Sequence, residues 1–198
     1  MVAGWPVRRG SDGLNKLVSV NVTIRRAVVG DVRGIRHLID TYSEERRLLS
    51  KATVAIFEAV QEFFVAVGED GALVGCGAIH VMWEDLAEIR TVAVDPSFRG
   101  QKIGHRLVTE LLATAASLGV SRVFCLTFET EFFGSFGFRP IDGAPVPAKV
   151  YEELLRSYDE GVAEFLDLER VKPNTLGNTR MLLHLDPPHL DPFHLDPS

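Results

Sequence analysis

The chain has 198 residues, long enough for one well-buried domain, and its 46% hydrophobic and 24% charged residues are ordinary for a globular protein. The net charge of −6 argues against a nucleic-acid surface, and no apolar run approaches the length that spans a bilayer. The first residues carry Arg8 and Arg9 but lack the apolar core of a secretory signal. Cys76 and Cys125 lie in apolar runs, so we expect reduced, buried thiols and a cytoplasmic protein. Because of its charge and hydropathy, we expect no nucleic-acid or membrane partner.

Both ends of the chain differ in character from its middle. Residues 1–19 are expected to be a flexible leader, and the tail over 186–198 belongs to a region in which His-Leu-Asp-Pro occurs three times, from His184. Three histidines and three aspartates could bind a metal, but a proline every five residues prevents regular structure. We therefore expect a disordered tail and no metal. Residues 20–185 are predicted to form one domain, with a C-terminal extension over 145–178.

Hydrophobic periodicity predicts strands punctuated by helices, hence an α/β (α+β) domain with a mixed sheet flanked by helices. A hairpin turn is predicted at Glu69-Asp70-Gly71, and Gly119 is expected to end the longest helix. The predicted strands cover 20–25, 64–67, 72–82, 86–94, 123–126, a segment entered at 137–138, and 181–185. The predicted helices cover 35–42, 56–63, 103–118, 130–135 and 148–168.

The segment over 86–118 carries the strongest functional signal. A strand ends at Val92-Ala93-Val94-Asp95-Pro96, and Arg99-Gly100-Gln101-Lys102-Ile103-Gly104-His105 opens the longest helix. A helix N-terminus presents unpaired N–H groups to an anion, and glycines let the chain approach a phosphate closely. Two glycines before a helix would by themselves indicate only a turn. Strand, stop, basic loop and amphipathic helix coincide here, which favours a pyrophosphate site.

These residues resemble the acetyl-CoA motif of the GCN5-related N-acetyltransferase (GNAT) family, Gln/Arg-x-x-Gly-x-Gly/Ala. Arg99 and Gly104 match its ends, whereas Lys102 stands where the middle glycine is usual. The resemblance spans about 20–141 and implies the GNAT fold, a twisted, mostly antiparallel sheet that is splayed at the strand ending in Val94. It also implies acetyl-CoA as co-substrate.

The family resemblance implies a set of coenzyme-binding residues. They are the backbone at Val92, Ala93 and Val94 along the pantetheine arm, then Arg99, Gly100, Gln101, Lys102, Ile103, Gly104 and His105 around the pyrophosphate, and Phe133 at the channel. Many members carry a tyrosine that protonates the thiolate where this chain has Phe133. Another group must therefore supply that proton.

A narrower resemblance is to the acetyltransferase domain of N-acetylglutamate synthases, in a short form without the amino-acid-kinase domain. It rests on 48–51, 87–94, 122–127 and 177–183. It implies an amino-acid N-acetyltransferase that acetylates the α-amine of glutamate, the first step of arginine biosynthesis. The arginine usual near Thr179 is replaced by Gly177, which leaves glutamine open as the substrate.

Glu88 and Thr127 are the expected catalytic residues. Strand alternation places Glu88, Arg90, Val92 and Val94 on one face, so Glu88 is expected to be the general base, directly or through water. The strand pattern alone supports two roles for Glu88 equally well: the general base, or a solvated carboxylate paired with Arg90. The resemblance favours the general base. Thr127 is expected to hydrogen-bond the sulfur or the oxyanion, and the alternative is that it satisfies backbone at a strand end.

The substrate carboxylates require cations. The resemblance implies Arg25 and Lys51 as these cations, with Arg47, Arg90 and Arg180 behind them. Thr179 matches a hydroxyl residue that helps to hold the substrate in the synthases. Two other functions remain open: a GNAT enzyme for another amine, such as a peptide N-terminus or a small molecule, and an acyl-CoA-binding sensor without turnover. A homodimer is also left open.

Overall fold

The computed structural model describes residues 21–43, 52–171 and 177–185. The leader, Lys51 and the His-Leu-Asp-Pro tail lie outside these ranges, so the predicted domain boundaries stay predictions. In the described ranges, no helix is both long and apolar enough to cross a membrane.

Seven strands form one sheet within the described residues. The strands are β1 (Thr23–Arg26), β2 (Phe63–Val67), β3 (Leu73–Trp83), β4 (Leu86–Val94), β5 (Arg122–Thr127), β6 (Arg139–Pro140) and β7 (Thr179–His184). Their order in the sheet is β1-β2-β3-β4-β5-β7-β6, and neighbouring strands are antiparallel except β4 and β5, which are parallel.

The helices cover both faces of this sheet. They are α1 (Val32–Ser43), α2 (Thr53–Glu58), α3 (Ile103–Ser117), α4 (Thr130–Gly134), α5 (Ala148–Leu154) and α6 (Glu160–Phe165). The mixed, mostly antiparallel sheet agrees with the prediction. The extension expected as one helical stretch forms two short helices instead. The chain turns at 155–156 after α5, and α6 begins only after Asp159, which caps it by accepting the Val162 N–H.

Helix α3 forms because apolar side chains recur at helical spacing on one face, and it ends where Gly119 adopts a φ of 82°. Its side chains Leu107, Val108 and Leu111 are fully buried against the sheet. Each contributes about 1.5–3 kcal/mol through removal of apolar surface from water. The predicted helix and its glycine stop are confirmed, as is the antiparallel hairpin at Gly71, whose φ is 80°.

The buried apolar residues form three clusters. The first lies between α3 and one sheet face, and the second lies between α1, α2 and the opposite face. The third joins α5 and α6 to β5 and β7 through Phe124, Leu154, Phe165 and Leu182. The C-terminal helices are thus packed onto the sheet through their own core.

Candidate active site

A cleft opens where β4 and β5 separate. The two strands pair only from Leu86–Glu88 to Arg122–Phe124, although both continue further. Beyond this point their backbones enclose a cavity of about 150 Å³, lined by residues 89–92, 126–129, Phe132, Phe133 and Tyr42. The splay expected at the end of β4 is confirmed by this register.

A β-bulge at Thr91 shapes one wall of the cleft. Arg90 pairs with Ala78 and Ala93 with Cys76, so Thr91 and Val92 together face one residue of β3. Thr91 has a φ of 59°, a left-handed conformation that costs a β-branched residue about 1–3 kcal/mol. The buried Cys76 thiol donates to the Thr91 carbonyl at 3.6 Å, which helps to hold the bulge. The sequence pattern missed Thr91 because its alternation looked regular.

The bulge reverses the direction of the side chains that follow it. Val92 and Val94 pack into the core beneath α3, whereas Glu88 and Arg90 point to the opposite face, toward the start of α6. The prediction that all four side chains share one face is therefore wrong. An inserted residue shifts the period-two alternation by one position, and the sequence gives no sign of that insertion.

The loop before α3 has the geometry expected of an anion site. Asp95 accepts the Ser97 N–H at 2.8 Å and turns the chain after β4. Gly100 then adopts a φ of 83°, and Lys102 stands at the N-cap of α3 without a side-chain cap. The first N–H groups of an uncapped helix have no partner within the helix, so they point outward with the positive end of its dipole.

Lys102 explains why a glycine is usual at its position. Its φ is 58°, in the left-handed region where an L side chain costs roughly 1–2 kcal/mol. The chain here keeps the required backbone and adds an exposed ammonium group at the loop, next to the exposed Arg99. The departure from the family motif thus preserves the loop geometry.

The other predicted coenzyme residues differ in what they can offer. Ile103 is buried in the core beneath α3, and Ala93 is buried on the opposite face beneath α1, so each can contribute backbone groups only. The Oε1 atom of Gln101 is buried and, within the described ranges, has no hydrogen-bond partner. A buried acceptor without a donor is uncommon, and it suits a site that receives a ligand.

Aromatic rings connect the loop to the cleft. His105 contacts Phe132 edge-on with ring centres 4.9 Å apart, and Phe136 at 5.0 Å. Phe132 in turn contacts Phe133, which lines the cleft, while Phe138 is fully buried. The exposed His105 thus contacts two phenylalanine rings, while its backbone N–H lies in the first turn of α3.

Two threonines meet at the far wall of the cleft. Thr127 lines the cavity, and its hydroxyl oxygen accepts the Glu129 N–H at 2.9 Å. Thr127 thus satisfies a backbone N–H at the end of its strand, which is the alternative role expected from the sequence. The hydroxyl hydrogen can still be donated to another group. Thr179 lies directly opposite Thr127 across the β5–β7 pair, so β7 brings it to the same end of the cleft.

Glu88 is buried, with a side chain only 3% exposed. Its Oε2 atom lies 3.6 Å from the Arg90 guanidinium. A Cβ on Gly161 would lie 1.9 Å from the same oxygen, so the first turn of α6 rests directly on this carboxylate. Glu88 is not among the cleft-lining residues, whereas Arg90 is.

Arg90 differs from the substrate-binding cation that the sequence suggested. Its guanidinium donates to Asp159 at 2.9 and 3.2 Å and to Glu62 at 3.0 Å. Burial opposes the charged form of Arg90, but the negative charges of Glu88 and Asp159 outweigh this effect and raise its pKa. Arg90 is therefore a permanently charged centre whose donors already serve protein carboxylates.

Arg25 and Arg180 are also engaged by the protein. Arg25 binds Asp31 through two hydrogen bonds at 2.7 and 2.9 Å, on an edge strand separated from β4 by two others. Arg180 donates to the backbone carbonyls of Glu164, Phe165 and Gly143, and so holds the end of α6. These contacts differ from the expected substrate role, and Arg47 and Lys51 lie outside the described residues.

Tyr42 is a cleft residue that sequence reasoning missed. Its hydroxyl donates to the Val94 carbonyl at 2.5 Å, tying the end of α1 to the end of β4. Its helical spacing with Ile35, Leu38 and Ile39 assigned it to the core, and nothing in the sequence marked the polar end of its ring. Among the described residues, no group of His, Cys, Asp and Glu is arranged to hold a metal.

Known proteins resemble this chain in both sequence and fold. Residues 33–138 match the Acetyltransferase (GNAT) family. An amino-acid acetyltransferase of Mycobacterium tuberculosis is 58% identical over 82% of this chain and 94% of the relative. A crystal structure of a Mycobacterium tuberculosis protein in complex with CoA and NLQ has a TM-score of 0.80 and 58% identity, over 83% of this chain and 99% of that chain.

A less similar structure supports the resemblance to N-acetylglutamate synthases. N-acetylglutamate synthase from Neisseria gonorrhoeae, complexed with coenzyme A and N-acetyl-glutamate, has a TM-score of 0.67 and 25% identity. The similarity covers 84% of this chain but only 35% of that protein. Family, fold and the general class of enzyme expected from the sequence are confirmed: the chain belongs to the GNAT family of acetyltransferases.

Proposed function

We propose that this enzyme transfers the acetyl group of acetyl-CoA to the α-amine of L-glutamate, or of L-glutamine, by direct transfer in a ternary complex. This is the first step of arginine biosynthesis, and we place it in the cytoplasm. The observation that carries the proposal is a buried glutamate, Glu88, on the strand that forms one wall of the splayed cleft. Support also comes from relatives named for amino-acid acetylation or solved with N-acetyl-glutamate.

The loop and the N-terminus of α3 would hold the acyl donor. The uncapped N–H groups at Ile103, Gly104 and His105 suit the pyrophosphate, and Arg99 and Lys102 supply positive charge on an acidic protein. The pantetheine arm would then run along the end of β4 into the cleft. This places the thioester near the Thr91 bulge, where backbone groups released from the strand ladder can stabilise an oxyanion.

Glu88 is assigned as the general base, acting through water. Its side chain is nearly inaccessible, and Arg90 lies between it and the cavity. The ammonium form of the substrate gives up a proton to Glu88, and the neutral nitrogen attacks the thioester carbonyl. Attack forms the C–N bond and a tetrahedral oxyanion, which collapses as the C–S bond breaks. The second proton lost by the nitrogen goes to the departing thiolate.

Thr127 is assigned to the leaving thiolate. Its hydroxyl donates to the sulfur and relays a proton, because Phe133 stands where the family usually has a tyrosine. Thr179 beside it, together with Lys51 from the resemblance, keeps the predicted contact with the amino acid. The acetylated amino acid and free CoA are the products.

A thiol-release assay with acetyl-CoA tests this proposal. The amines are glutamate, glutamine, other amino acids and a few peptides, and the variants are Glu88→Gln and Glu84→Gln. Glu84 is exposed in the turn that joins β3 to β4, so it is a matched carboxylate outside the buried site. We expect thiol release with glutamate or glutamine that collapses in Glu88→Gln and persists in Glu84→Gln.

Two other results would contradict the proposal. Turnover with a peptide or another amine while glutamate and glutamine are inert would identify a GNAT enzyme of different specificity. Coenzyme binding that is insensitive to Glu88→Gln, without thiol release for any amine, would identify an acyl-CoA sensor. The buried thiols do not interfere, because burial raises the pKa of Cys76 to about 12 and raises that of Cys125 well above its ordinary value.

A further inference from the structure

Three carboxylates converge on a single guanidinium behind the cleft, and one histidine contacts two of these carboxylates. We call Glu62, His80, Glu88, Arg90 and Asp159 the Arg90 cluster. Arg90 lies 2.9 Å from Asp159, 3.0 Å from Glu62 and 3.6 Å from Glu88. His80 pairs with Glu88 across the β3–β4 ladder, and its Nδ1 lies 2.8 Å from Glu62. The cluster therefore surrounds Glu88 with polar and charged side chains from β3, β4, the turn before β2 and the N-cap of α6.

The first turn of α6 completes the surroundings of Glu88. A Cβ on Gly161 would lie 1.9 Å from Glu88 Oε2 and 3.1 Å from Asp159 Oδ1, so both carboxylates lie close to the same point. Asp159 has two tasks at once, because it caps α6 through the Val162 N–H and binds Arg90. Any movement of α6 relative to the sheet would therefore disturb this carboxylate pair.

The charges in the cluster act on Glu88 in opposite directions. Like charge on Asp159 and Glu62 disfavours ionisation of Glu88, while Arg90 favours it. Burial alone would raise the pKa of Asp159, but the Arg90 charge outweighs it, so the pKa of Asp159 lies below its ordinary value. Glu62 follows the same direction: its hydrogen bonds from His80 and Arg90 overcome the effect of burial on its pKa. Both partners are thus ionised at neutral pH.

We propose that Arg90 and Asp159 are positioning residues for Glu88, so that the C-terminal helices α5 and α6 form part of the active site. The proposal rests on the function assigned to Glu88 above. Arg90 and Asp159 touch no reacting atom. They set the place of the Glu88 carboxylate and its readiness to take a proton, and α6 supplies the glycine surface on which that carboxylate lies.

Carboxyl-carbon NMR of protein labelled with ¹³C-glutamate tests this directly, with the Glu88 signal assigned by its absence in Glu88→Gln. Asp159→Asn preserves the helix cap but removes a negative neighbour, so the titration midpoint of Glu88 should fall by about one pH unit. Arg90→Gln removes the positive neighbour, so the midpoint should rise by about one unit or more. Opposite shifts from two members of one cluster would not follow from general loosening of the fold.

Asp85→Asn is the matched control. Asp85 binds Arg122, whose side chain is 14% exposed, as is that of Arg90, and this ion pair lies outside the cluster. We expect no shift of the Glu88 midpoint in this variant. If Arg90→Gln does not fold, Glu62→Gln takes its place, with an expected shift in the direction of Asp159→Asn but smaller.

Kinetics supply the second measurement. The acid limb of kcat/KM should move with the NMR midpoint in each variant, while KM for acetyl-CoA stays within about twofold because the coenzyme loop is untouched. Midpoints that do not move, or that move alike in Asp159→Asn, Arg90→Gln and Asp85→Asn, would overturn the proposal. Absence of turnover with both glutamate and glutamine in the wild-type protein would contradict the proposed function, and the NMR midpoints would still decide the positioning role.

Discussion

The two halves of the proposed active site are built in opposite ways. The coenzyme half lies in one continuous segment from β4 through the loop into α3, and its geometry follows from a left-handed Lys102, Gly100 and an uncapped helix start. The base half brings together side chains far apart in the chain: Arg90 bonds to Glu62 at a separation of 28 residues and to Asp159 at 69. The coenzyme half can therefore keep its shape through local backbone conformation, whereas the base half depends on the packing of the whole fold.

The change expected to damage the base half most is Gly161→Ala. The added methyl would lie 1.9 Å from Glu88 Oε2 and 2.7 Å from its Cδ, so either α6 or the base must move. We expect kcat to fall by about 100-fold, since small displacements of a catalytic group cost that much, and unfolding free energy to fall by about 1–3 kcal/mol. Steady-state kinetics and urea unfolding measure the two effects.

Gly134→Ala is the control for this helix substitution. A Cβ at Gly134 meets nothing within 4 Å, so stability should be unchanged or higher by up to about 1 kcal/mol. Equal loss of activity in both variants would show that α6 does not hold Glu88.

Tyr42→Phe probes the junction between the halves. The hydroxyl that holds the Val94 carbonyl at 2.5 Å is removed while the ring remains. We expect unfolding free energy to fall by about 1 kcal/mol and kcat/KM for acetyl-CoA to fall by about tenfold or less, because the end of β4 loses one tether. Unchanged kinetics for acetyl-CoA would mean that this tether does not shape the coenzyme path.

The base half also predicts how stability depends on pH. Glu62 and Asp159 have pKa values held below their ordinary range. The cost of burial is offset by the hydrogen bonds from His80 and Arg90 at Glu62, and by the charge of Arg90 at Asp159. The unfolded chain therefore binds more protons than the folded one in acid, so stability is fully present above about pH 5 and falls as pH drops through the folded pKa values. Asp159→Asn should flatten this acid slope, and chemical unfolding between about pH 3 and 7 measures it. A slope as steep as that of the wild type would contradict the assignment.

The strand, loop and helix start of the proposed coenzyme half were predictable from sequence, and the reason is physical. A strand end, an Asp-Pro stop, the glycines and an amphipathic helix are contiguous signals, so the loop around Arg99 and Gly104 could be located without the fold. Glu88 could be named by resemblance, but its partners could not, since no local pattern joins it to Asp159 or Gly161. The single inserted residue at Thr91 then reversed the alternation that had placed Glu88 with Val92.

The cations expected to bind substrate also have partners that no local sequence pattern predicts. Arg25, Arg90 and Arg180 were plausible as isolated charges, yet each meets a protein acceptor that only tertiary structure supplies. Most charged side chains find such partners in a folded protein, and the sequence does not say which ones do.

The smallest expected effect belongs to Lys102 in the coenzyme half. Lys102→Gly removes the charge and relieves the left-handed strain, whereas Lys102→Gln removes the charge alone. Both should raise KM for acetyl-CoA by roughly three- to tenfold if the ammonium meets phosphate, and the glycine variant should be more stable than the glutamine variant by about 0.5–1 kcal/mol. A glycine variant with lower stability would show that the backbone here is not strained.

The separation of the two halves is tested most directly by measuring acetyl-CoA binding and turnover side by side in Glu88→Gln and Lys102→Gln. We predict that Glu88→Gln binds acetyl-CoA within about twofold of wild type while kcat falls by 100-fold or more, roughly the size of a lost general base. Lys102→Gln should show weaker binding with kcat nearly unchanged. Glu88→Gln with wild-type kcat, or with binding and turnover lost together, would contradict it.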